Sequence, residues 1–280
     1  MVFAMITWGY SWVGAKILGP YGHVSTKIFL RFFFASIALI PILLKYHIPF
    51  RIDKKGFIFI LWNSISLCSY NYFYFKSTHM GLAGVGGVLV TTLNPILTSL
   101  FVFSFLDRSS AKLKEFVGLI MGLTGGGIIM RLWEMDIALM ISSGNIFYIL
   151  ASCSWVSVTI TSQKSKNHIH FLTYSFWSFL SSSLLSLSFC EIESISQTIN
   201  YDWIYWLNIF LLSIVVMSFA NTMYFFASSK IGAVKASSFI FVVPLTAIIF
   251  SKIILNEQVL YTTVLGGVLS VIAVYLINRK

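Results

Sequence analysis

The sequence predicts an all-α integral membrane protein whose ten transmembrane helices form two inverted five-helix repeats. Three observations predict this fold: an apolar composition, ten long apolar runs, and a residue pattern that occurs twice. Hydrophobic residues make up 58% of the 280 residues and charged residues only 10%. Because about a quarter of the residues in a typical soluble domain are charged, the composition excludes that class.

Each apolar run is roughly 18 to 25 residues long, which is enough to cross about 30 Å of hydrocarbon as a helix. The connections between the runs are too short to hold a soluble domain. In chain order, the predicted helices span residues 1–18, 27–44, 57–75, 82–106, 115–132, 137–162, 170–190, 203–226, 234–255 and 259–277. The first run has neither a basic leader nor a small-residue cleavage site, so we expect no secretory signal there.

The repeated pattern lies in the third to fifth and the eighth to tenth predicted helices. An asparagine and a tyrosine three residues apart recur at an offset of 150 residues, and a proline and a glycine recur at an offset of 149 residues. The matched pairs in these helices are Asn71 with Asn221, Tyr74 with Tyr224, Pro95 with Pro244, and Gly118 with Gly267. In addition, Trp8 of the first predicted helix matches Trp155 of the sixth at an offset of 147 residues. Residues 1–132 and 137–280 are therefore predicted to be two copies of one unit.

The odd number of helices in each copy determines how the copies are oriented. A five-helix unit begins on one face of the membrane and ends on the other, so the second copy must be inverted. Inverted repeats are typical of transporters, which hold their substrate near the middle of the membrane between the two halves. The duplication therefore predicts a permease that works by alternating access.

The placement of basic residues predicts the orientation of the chain. With the amino end inside, 13 of the 19 Lys and Arg residues fall on the cytoplasmic side, where such residues concentrate. Both termini are therefore predicted to be cytoplasmic, in the inner membrane of a bacterium. The same bias, together with contacts to anionic lipid, explains the net charge of +10. We expect no nucleic-acid binding, because no basic domain is present.

Two motifs in corresponding positions carry a resemblance to a known family. They are Leu93-Asn94-Pro95 with Gly118, and Val243-Pro244 with Leu255-Asn256-Glu257 and Gly266-Gly267. In these motifs the chain resembles, over essentially its whole length, the EamA-type repeat of the drug/metabolite transporter (DMT) superfamily. The resemblance implies ten helices in a basket-like inverted repeat and transport of small organic solutes such as amino acids. Glu257 keeps the acid that this family carries after the turn, whereas Asp107-Arg108 departs from the pattern.

Polar side chains inside the predicted helices are the first candidates for a substrate site. Asn71, Asn94 and Asn221 carry amides that cannot face lipid without a large cost, so we expect them to face the interior. Tyr74 and Tyr224 lie three residues after an asparagine, hence on the same helix face, and offer a ring and a hydroxyl to a solute. The alternative role for these residues is a hydrogen bond between helices without any ligand.

Prolines and tryptophans supply the remaining interior candidates. Pro95 and Pro244 each remove a backbone hydrogen bond and are predicted to form hinges beside the pathway, with a static kink as the alternative. Trp8, Trp12 and Trp155 are predicted to line the pathway as aromatic walls. Their alternative role is packing or anchoring at the membrane interface.

Three basic residues, Lys16, Arg31 and Lys76, are predicted to point towards the outer mouth. Snorkelling to lipid headgroups explains each of them. If they instead converge on a vestibule, they would attract carboxylate or phosphate groups, and Lys16 is then the best candidate. No Asp or Glu lies near the middle of any predicted helix, which disfavours proton or sodium coupling and favours facilitated diffusion or exchange.

These observations predict a carrier for an amino acid or a similar zwitterion. The alternative is a nucleoside-containing metabolite such as S-adenosylmethionine or a nucleotide sugar. An enzyme is disfavoured because the predicted interior pairs no His or carboxylate with a nucleophile, and an assembly subunit is the other competing class. We expect no cofactor and no metal site, since His168 and His170 lack a third ligand. Glycines at 118, 122 and 126 predict close helix packing, within a monomer or across a homodimer.

Overall fold

The structure is a computed structural model that describes residues 1–106, 113–134 and 144–278. The described residues form α-helices, short 3-10 and π-helical segments, and connections, with no strand among them. The all-α class predicted from the sequence is therefore confirmed. Asp107, Arg108, residues 137–143 of the sixth predicted helix, and the two final residues, Arg279 and Lys280, lie outside the described residues.

The first half of the chain forms five α-helices within the described residues. They are α1 (Val2–Ile17), α2 (Val24–Lys45), α3 (Lys54–Met80), α4 (Ala83–Phe101) and α5 (Leu113–Met130). A π-helical segment, Val102–Leu106, extends α4. A short 3-10 turn, Leu132–Glu134, follows α5.

The second half contains shorter segments as well as long helices. They are α6 (Asn145–Lys164), α7 (Phe171–Leu187), α8 (Ile192–Gln197), α9 (Trp203–Phe210), α10 (Thr222–Ile231), α11 (Ala233–Ser238), α12 (Val243–Leu255) and α13 (Tyr261–Asn278). The π-helical segment Leu211–Asn221 joins α9 to α10, so Trp203–Ile231 is helical throughout. A 3-10 turn, Phe239–Val242, separates α11 from α12.

Local sequence determines several helix ends. The Asp53 side chain accepts a 2.6 Å hydrogen bond from Gly56 N at the start of α3, and Asp202 accepts a 3.0 Å bond from Tyr205 N at the start of α9. Both are N-caps that satisfy amide groups left free in a first helical turn. Gly232 separates α10 from α11 with a φ of +89°, a conformation that glycine adopts without strain.

Helix boundaries differ from the predicted ones at two functionally relevant places. Helix α2 begins at Val24, one turn earlier than predicted, because the extended residue His23 precedes it directly. Helix α7 ends at Leu187, so Cys190 lies beyond the helix in which the sequence placed it.

Pro95 lies inside α4 without interrupting it. Pro244, in contrast, stands in the first turn of α12, directly after the 3-10 turn.

Among the residues that the structure describes, four helices combine the length and the apolar composition needed to cross a bilayer: Val24–Lys45, Ala83–Phe101, Asn145–Asn167 and Trp203–Ile231. Shorter apolar helices occur at Ile120–Ile129, Val243–Leu255 and Tyr261–Ala273. These helices are those of a multi-pass membrane protein.

Helix α3 illustrates how polar residues are distributed in such a protein. One face of α3 exposes large apolar side chains: Phe57, Ile58, Leu61, Trp62 and Ile65. Its other face buries polar side chains, including Asn63, Ser64 and Asn71, each 0% exposed. Apolar residues outside and hydrogen-bonding residues inside suit a helix surrounded by lipid on one side and protein on the other.

The helices pack in a small number of extended pairs. Helix α5 packs on α13, α2 on α7, α4 on α12, α3 on α6, and α1 on both α12 and Leu211–Asn221. Glycines permit the closest approaches, since a Cβ atom at Gly9 would overlap Thr246 of α12. Gly122 and Gly126 of α5 face Ile96 and Leu93 of α4, so this part of the glycine stripe makes an internal contact.

Candidate functional site

A small cavity lies where α1, α2, α3, α4, α6 and the Leu211–Asn221 segment meet. Its free volume is about 20 Å³, enough for about one water molecule. The cavity brings together six of the nine predicted pathway residues: Trp8, Trp12, Tyr74, Asn94, Trp155 and Asn221. Ser11, Arg31, Tyr70, Thr91, Val216 and Met217 complete the lining. The site is therefore aromatic and polar, and both halves of the chain contribute to it.

Asn71 is buried behind the cavity wall and holds a basic side chain. Its Oδ1 accepts a 2.8 Å hydrogen bond from Arg31 Nη1, and its Nδ2 donates a 2.9 Å bond to Leu67 O one turn earlier. Asn71 is 0% exposed and Arg31 is 3% exposed. Asn71 therefore does not line the cavity itself, but it orients Arg31, which does.

Asn221, the counterpart of Asn71, lines the cavity directly. Its Oδ1 accepts a 2.9 Å hydrogen bond from Trp8 Nε1, and its Nδ2 lies 2.9 Å from Met217 Sδ. The bond to Trp8 joins α1 of the first half to the Leu211–Asn221 segment of the second half. The two matched asparagines thus have different partners, an arginine in one half and a tryptophan in the other.

The two matched tyrosines make corresponding contacts. Tyr74 OH of α3 donates a short hydrogen bond to Ser11 O of α1, and Tyr224 OH of α10 lies 3.0 Å from Thr159 Oγ1 of α6. Each tyrosine therefore joins the helix that bears it to the first helix of its own half. Tyr224 does not line the cavity, but its ring lies behind the wall, 5.1 Å from Trp8.

Aromatic rings form a continuous wall around the cavity. Trp8 and Trp155 meet edge to face at 5.1 Å between ring centroids, Trp12 lies 4.8 Å from Tyr74, and Tyr70 lies 4.7 Å from Trp155. Edge-to-face and tilted contacts of this kind stabilise the arrangement of the rings beyond simple burial. The tryptophans are thus placed in the interior, where their faces and edges border the cavity.

Asn94 and Pro95 lie next to each other in α4. Asn94 is 3% exposed, and its Oδ1 has no hydrogen-bond partner within the described part of the chain. Pro95 has no N–H, so the carbonyl of Thr91, four residues earlier, receives no helical hydrogen bond from it. Thr91 and Asn94 both line the cavity, so two acceptors without a helical donor belong to its lining residues.

The structure does not bring Lys16, Arg31 and Lys76 together at one vestibule. Lys16 Nζ donates to Gly81 O at 2.6 Å and to His79 O at 3.3 Å, at the turn between α3 and α4, and lies outside the cavity lining. Lys76 borders a separate surface groove. The expectation for Arg31 is wrong: it is not near a helix end but in the cavity wall, because α2 begins a turn earlier than predicted and places Arg31 two turns inside.

Arg31 is therefore the site residue that the sequence analysis undervalued. Its guanidinium lies 5.4 Å from the ring centre of Tyr74 and 5.2 Å from that of Phe75. The ion pairs found within residues 1–106, 113–134 and 144–278 do not involve it. A predicted helix start at Val24 would have placed Arg31 inside the membrane. The other basic residues near it favoured a position at the membrane interface instead.

A second network surrounds the turn between α3 and α4. Glu257, which follows α12, accepts 3.0 Å hydrogen bonds from both Ala83 N and Gly84 N in the first turn of α4. Tyr148 OH of α6 donates to Leu82 O at 2.9 Å. With Lys16, these residues attach one turn of the first half to α1, to α6 and to the α12–α13 connection. The sequence motif indicated Glu257, but nothing in the sequence indicated Tyr148.

Within the described residues, no group of three or more His, Cys, Asp and Glu side chains is placed to hold a metal ion. The polar lining groups of the cavity are amides, hydroxyls, three indoles and a guanidinium. Such a set offers a solute hydrogen bonds and one positive charge. It does not present the acid and base pair that hydrolysis requires.

Comparison with known proteins gives three consistent results. The model of the EamA-like transporter family matches residues 1–131 and 142–279. The chain is 24% identical over 276 residues to the uncharacterized transporter YoaV of Bacillus subtilis, covering 96% of this chain and 92% of that one. It is 25% identical over 213 residues to the uncharacterized transporter sll0355 of Synechocystis sp., covering 71% and 64%. A protein of known crystal structure has the same fold, with a TM-score of 0.69 at 16% identity over 98% of this chain and 94% of that one.

Proposed function

Because the chain belongs to the EamA-like transporter family, we propose that it carries an amino acid or a similar zwitterion across the bacterial cytoplasmic membrane by alternating access. The observation that carries this proposal is the cavity between helices of both halves, lined by amides and aromatic rings. A site in that position can face either side of the membrane when one half moves against the other.

Helix packing supports ten helices in two inverted repeats. In the proposed correspondence, α1 matches α6, α2 matches α7, α3 matches Trp203–Ile231, α4 matches α11 with α12, and α5 matches α13. The contact of α1 with α12 then corresponds to that of α6 with α4, and the contact of α2 with Leu211–Asn221 corresponds to that of α7 with α3. The pairs α2–α7, α4–α12 and α5–α13 each correspond to themselves, as expected about a two-fold axis.

The size of the cavity supports a closed conformation. About 20 Å³ is far below the roughly 300 Å³ of the smaller ligand pockets in proteins. Helices must therefore move apart to admit a metabolite. On the side that we assign to the outside, hydrogen bonds of Glu257 and Lys16 to the α3–α4 turn and the start of α4 close the cavity. On the opposite side, Ser162 Oγ of α6 donates a 3.0 Å hydrogen bond to Ser228 Oγ of α10. Alternating access requires that these two closures open in turn.

The lining of the cavity supports facilitated diffusion or exchange. None of its lining residues in the described part of the chain is Asp or Glu. A carboxylate inside the membrane is the usual carrier of a coupled proton and a frequent ligand of sodium. We therefore propose that the solute gradient, and not an ion gradient, drives net movement.

A nucleoside-containing metabolite is the second candidate substrate, and the aromatic wall favours it. Trp8, Trp12, Trp155 and Tyr70 present ring surfaces around one cavity, and a purine ring stacks well on such surfaces. S-adenosylmethionine also carries the amino-acid group of the first candidate. The two substrate classes differ in size, so direct transport measurements separate them.

Counterflow in proteoliposomes tests the proposed function. Vesicles containing the purified full chain are loaded with unlabelled solute, and uptake of the labelled solute is followed without an ion gradient. Separate experiments use neutral L-amino acids, S-adenosylmethionine and a nucleotide sugar. We expect a transient accumulation of labelled amino acid that is absent from protein-free vesicles. Uptake of the nucleoside-containing solutes alone supports the second candidate, and no accumulation of any solute contradicts the carrier.

A further inference from the structure

We propose that Arg31 binds the carboxylate of the transported solute, and that the carboxylate is required for binding. This inference rests on the proposed function and deepens it by naming the group that the site recognises. It starts from a buried charge whose compensation within the described protein is incomplete.

Burial makes the charge of Arg31 costly. The side chain is 3% exposed and lies on a helix long and apolar enough to cross the membrane. A buried ion that lacks a partner is strongly destabilising, which is why buried charges are normally paired with an opposite charge. Within the described residues no carboxylate lies within ion-pair distance of Arg31.

The guanidinium of Arg31 has at least one N–H donor without a partner among the described residues. Its planar group carries five N–H donors. Nη1 donates to Asn71 Oδ1 at 2.8 Å, and Nε has no partner among the described residues. Arginine is suited to bind a carboxylate through two parallel hydrogen bonds, for which its donors must point in one direction. Arg31 lines the cavity, and its Nε is a donor without a partner among the described residues, so the site offers a free donor to a carboxylate.

Two neighbouring aromatic rings hold the guanidinium without using its N–H donors. The rings of Tyr74 and Phe75 lie 5.4 and 5.2 Å from it and attract the positive charge electrostatically. The uncharged amide of Asn71 orients the guanidinium by accepting one hydrogen bond from it, so Asn71 is a positioning residue. The arrangement keeps the cation in the wall when no solute is bound and leaves it able to accept an anion.

The cavity favours a small carboxylate over a larger phosphate. Arg31 is the single cation among the lining residues of the described chain, whereas phosphate sites commonly combine several cationic or N–H donors. Asn94 lines the same cavity, and its Oδ1, an acceptor without a partner in the described chain, complements an ammonium group. A solute that carries one carboxylate and one ammonium group uses both features.

Binding to the purified full chain tests the inference separately from transport. The probes are individual neutral L-amino acids and the matching amino-acid amides, which keep the ammonium group and the side chain but lack the negative charge. Binding is followed through the intrinsic fluorescence of the cavity tryptophans, Trp8, Trp12 and Trp155. We expect at least one amino acid to bind about 10- to 100-fold more tightly than its amide, as the loss of a charged hydrogen bond implies.

Variants of Arg31 identify the residue responsible. Arg31→Met fills a similar volume without a charge and is expected to remove the preference for the acid over the amide, while Arg31→Lys keeps the charge but loses the bidentate geometry and retains part of the preference. Lys252→Gln, which removes an exposed positive charge at the end of α12, is the matched control and is expected to keep the full preference. Circular dichroism and the thermal midpoint establish that each variant is folded.

Three outcomes overturn the inference: equal affinity for acid and amide, no binding of any amino acid, or unchanged discrimination in folded Arg31→Met. If that variant does not fold, the preference of the native chain for acid over amide decides the question. Binding of a nucleotide sugar in preference to every amino acid also overturns the inference, because the group recognised by the site is then a phosphate and not a carboxylate. Failure of counterflow with the binding preference intact contradicts the carrier and leaves the Arg31 site standing. Counterflow of amides as fast as acids contradicts the Arg31 site and leaves the carrier standing.

Discussion

Replacing Glu257 with Gln is expected to loosen the attachment of the α12–α13 connection to the start of α4. The Glu257 carboxylate accepts 3.0 Å hydrogen bonds from Ala83 N and Gly84 N. These amides belong to a first helical turn, where N–H groups have no partner within the helix and the helix dipole favours a negative charge. Glutamine has nearly the same size, but it is neutral and offers one acceptor oxygen in place of two. One hydrogen bond is therefore lost and the other is weakened.

The magnitude follows from the type and the exposure of these bonds. A hydrogen bond to a charged group contributes about 1.5 to 3 kcal/mol when buried. Glu257 is half-buried, so solvent reduces that contribution. We expect the closed attachment to lose about 1 to 2 kcal/mol, which makes its opening about 5- to 30-fold more frequent.

Hydrogen–deuterium exchange measures this change directly, because Ala83 and Gly84 donate to no helical carbonyl. In Glu257→Gln we expect the peptide containing these amides to exchange about 5- to 30-fold faster. Gly86 N, which donates to Leu82 O at 3.0 Å inside α4, provides an internal reference. Glu191→Gln is the matched control, since Glu191 precedes α8 without a capping hydrogen bond from its side chain. Unchanged exchange at Ala83 and Gly84, with the peptide resolved from its neighbours, would refute the reasoning.

Three further predictions concern the cavity and the helix contacts around it. Trp8→Phe keeps a ring but leaves Asn221 Oδ1 without its 2.9 Å bond, so we expect half-saturation of counterflow at a substrate concentration about 5- to 30-fold higher; an unchanged value contradicts this role. The double variant Asn71→Ala and Asn221→Ala is expected to abolish counterflow and to insert normally into the membrane, as measured by fractionation. Normal transport by this variant contradicts the proposed site. Gly9→Val places atoms where Thr246 lies, so we expect the free energy of unfolding to fall by about 1 to 3 kcal/mol and the thermal midpoint to fall with it. An unchanged midpoint contradicts the close packing.

The helical class and the family were predictable because both depend on features that the sequence shows directly. Long apolar runs determine helices in a membrane, since every backbone polar group must be satisfied within the segment. The repeated motifs around Pro95 and Pro244 indicated the family, and the repeated asparagines, Asn71 and Asn221, indicated interior positions. Asn94, Trp8 and Trp155 indeed meet at one cavity, because polar and aromatic side chains in these helices face protein and not lipid.

Arg31 and Lys16 show where sequence reasoning stopped. A predicted helix start three residues too late placed Arg31 near the membrane surface, whereas the helix begins at Val24 and carries Arg31 into the cavity wall. Lys16 was the best candidate for attracting an anion to a vestibule, but its Nζ donates hydrogen bonds to the carbonyl groups of His79 and Gly81 instead. The choice between a solute and a backbone carbonyl as partner depends on tertiary packing, which spacing along the chain does not specify.

The two prolines differ for a similar reason. Pro95 and Pro244 occupy matching positions in the sequence, yet α4 continues through Pro95, while a 3-10 turn precedes Pro244. A proline removes one hydrogen bond in either place, but the surrounding helices determine whether the chain bends. Their proposed role as hinges stays a prediction.

The central claim, that one cavity is reached from each side of the membrane in turn, is tested most directly by a single thiol in the cavity wall. Thr91→Cys places it there in a chain whose three native cysteines, Cys68, Cys153 and Cys190, are replaced by serine. A membrane-impermeant maleimide is applied to oriented vesicles from one side or from the other. We predict labelling from both sides, slowed in both cases by the transported solute. Labelling from one side only, with or without solute, would contradict alternating access.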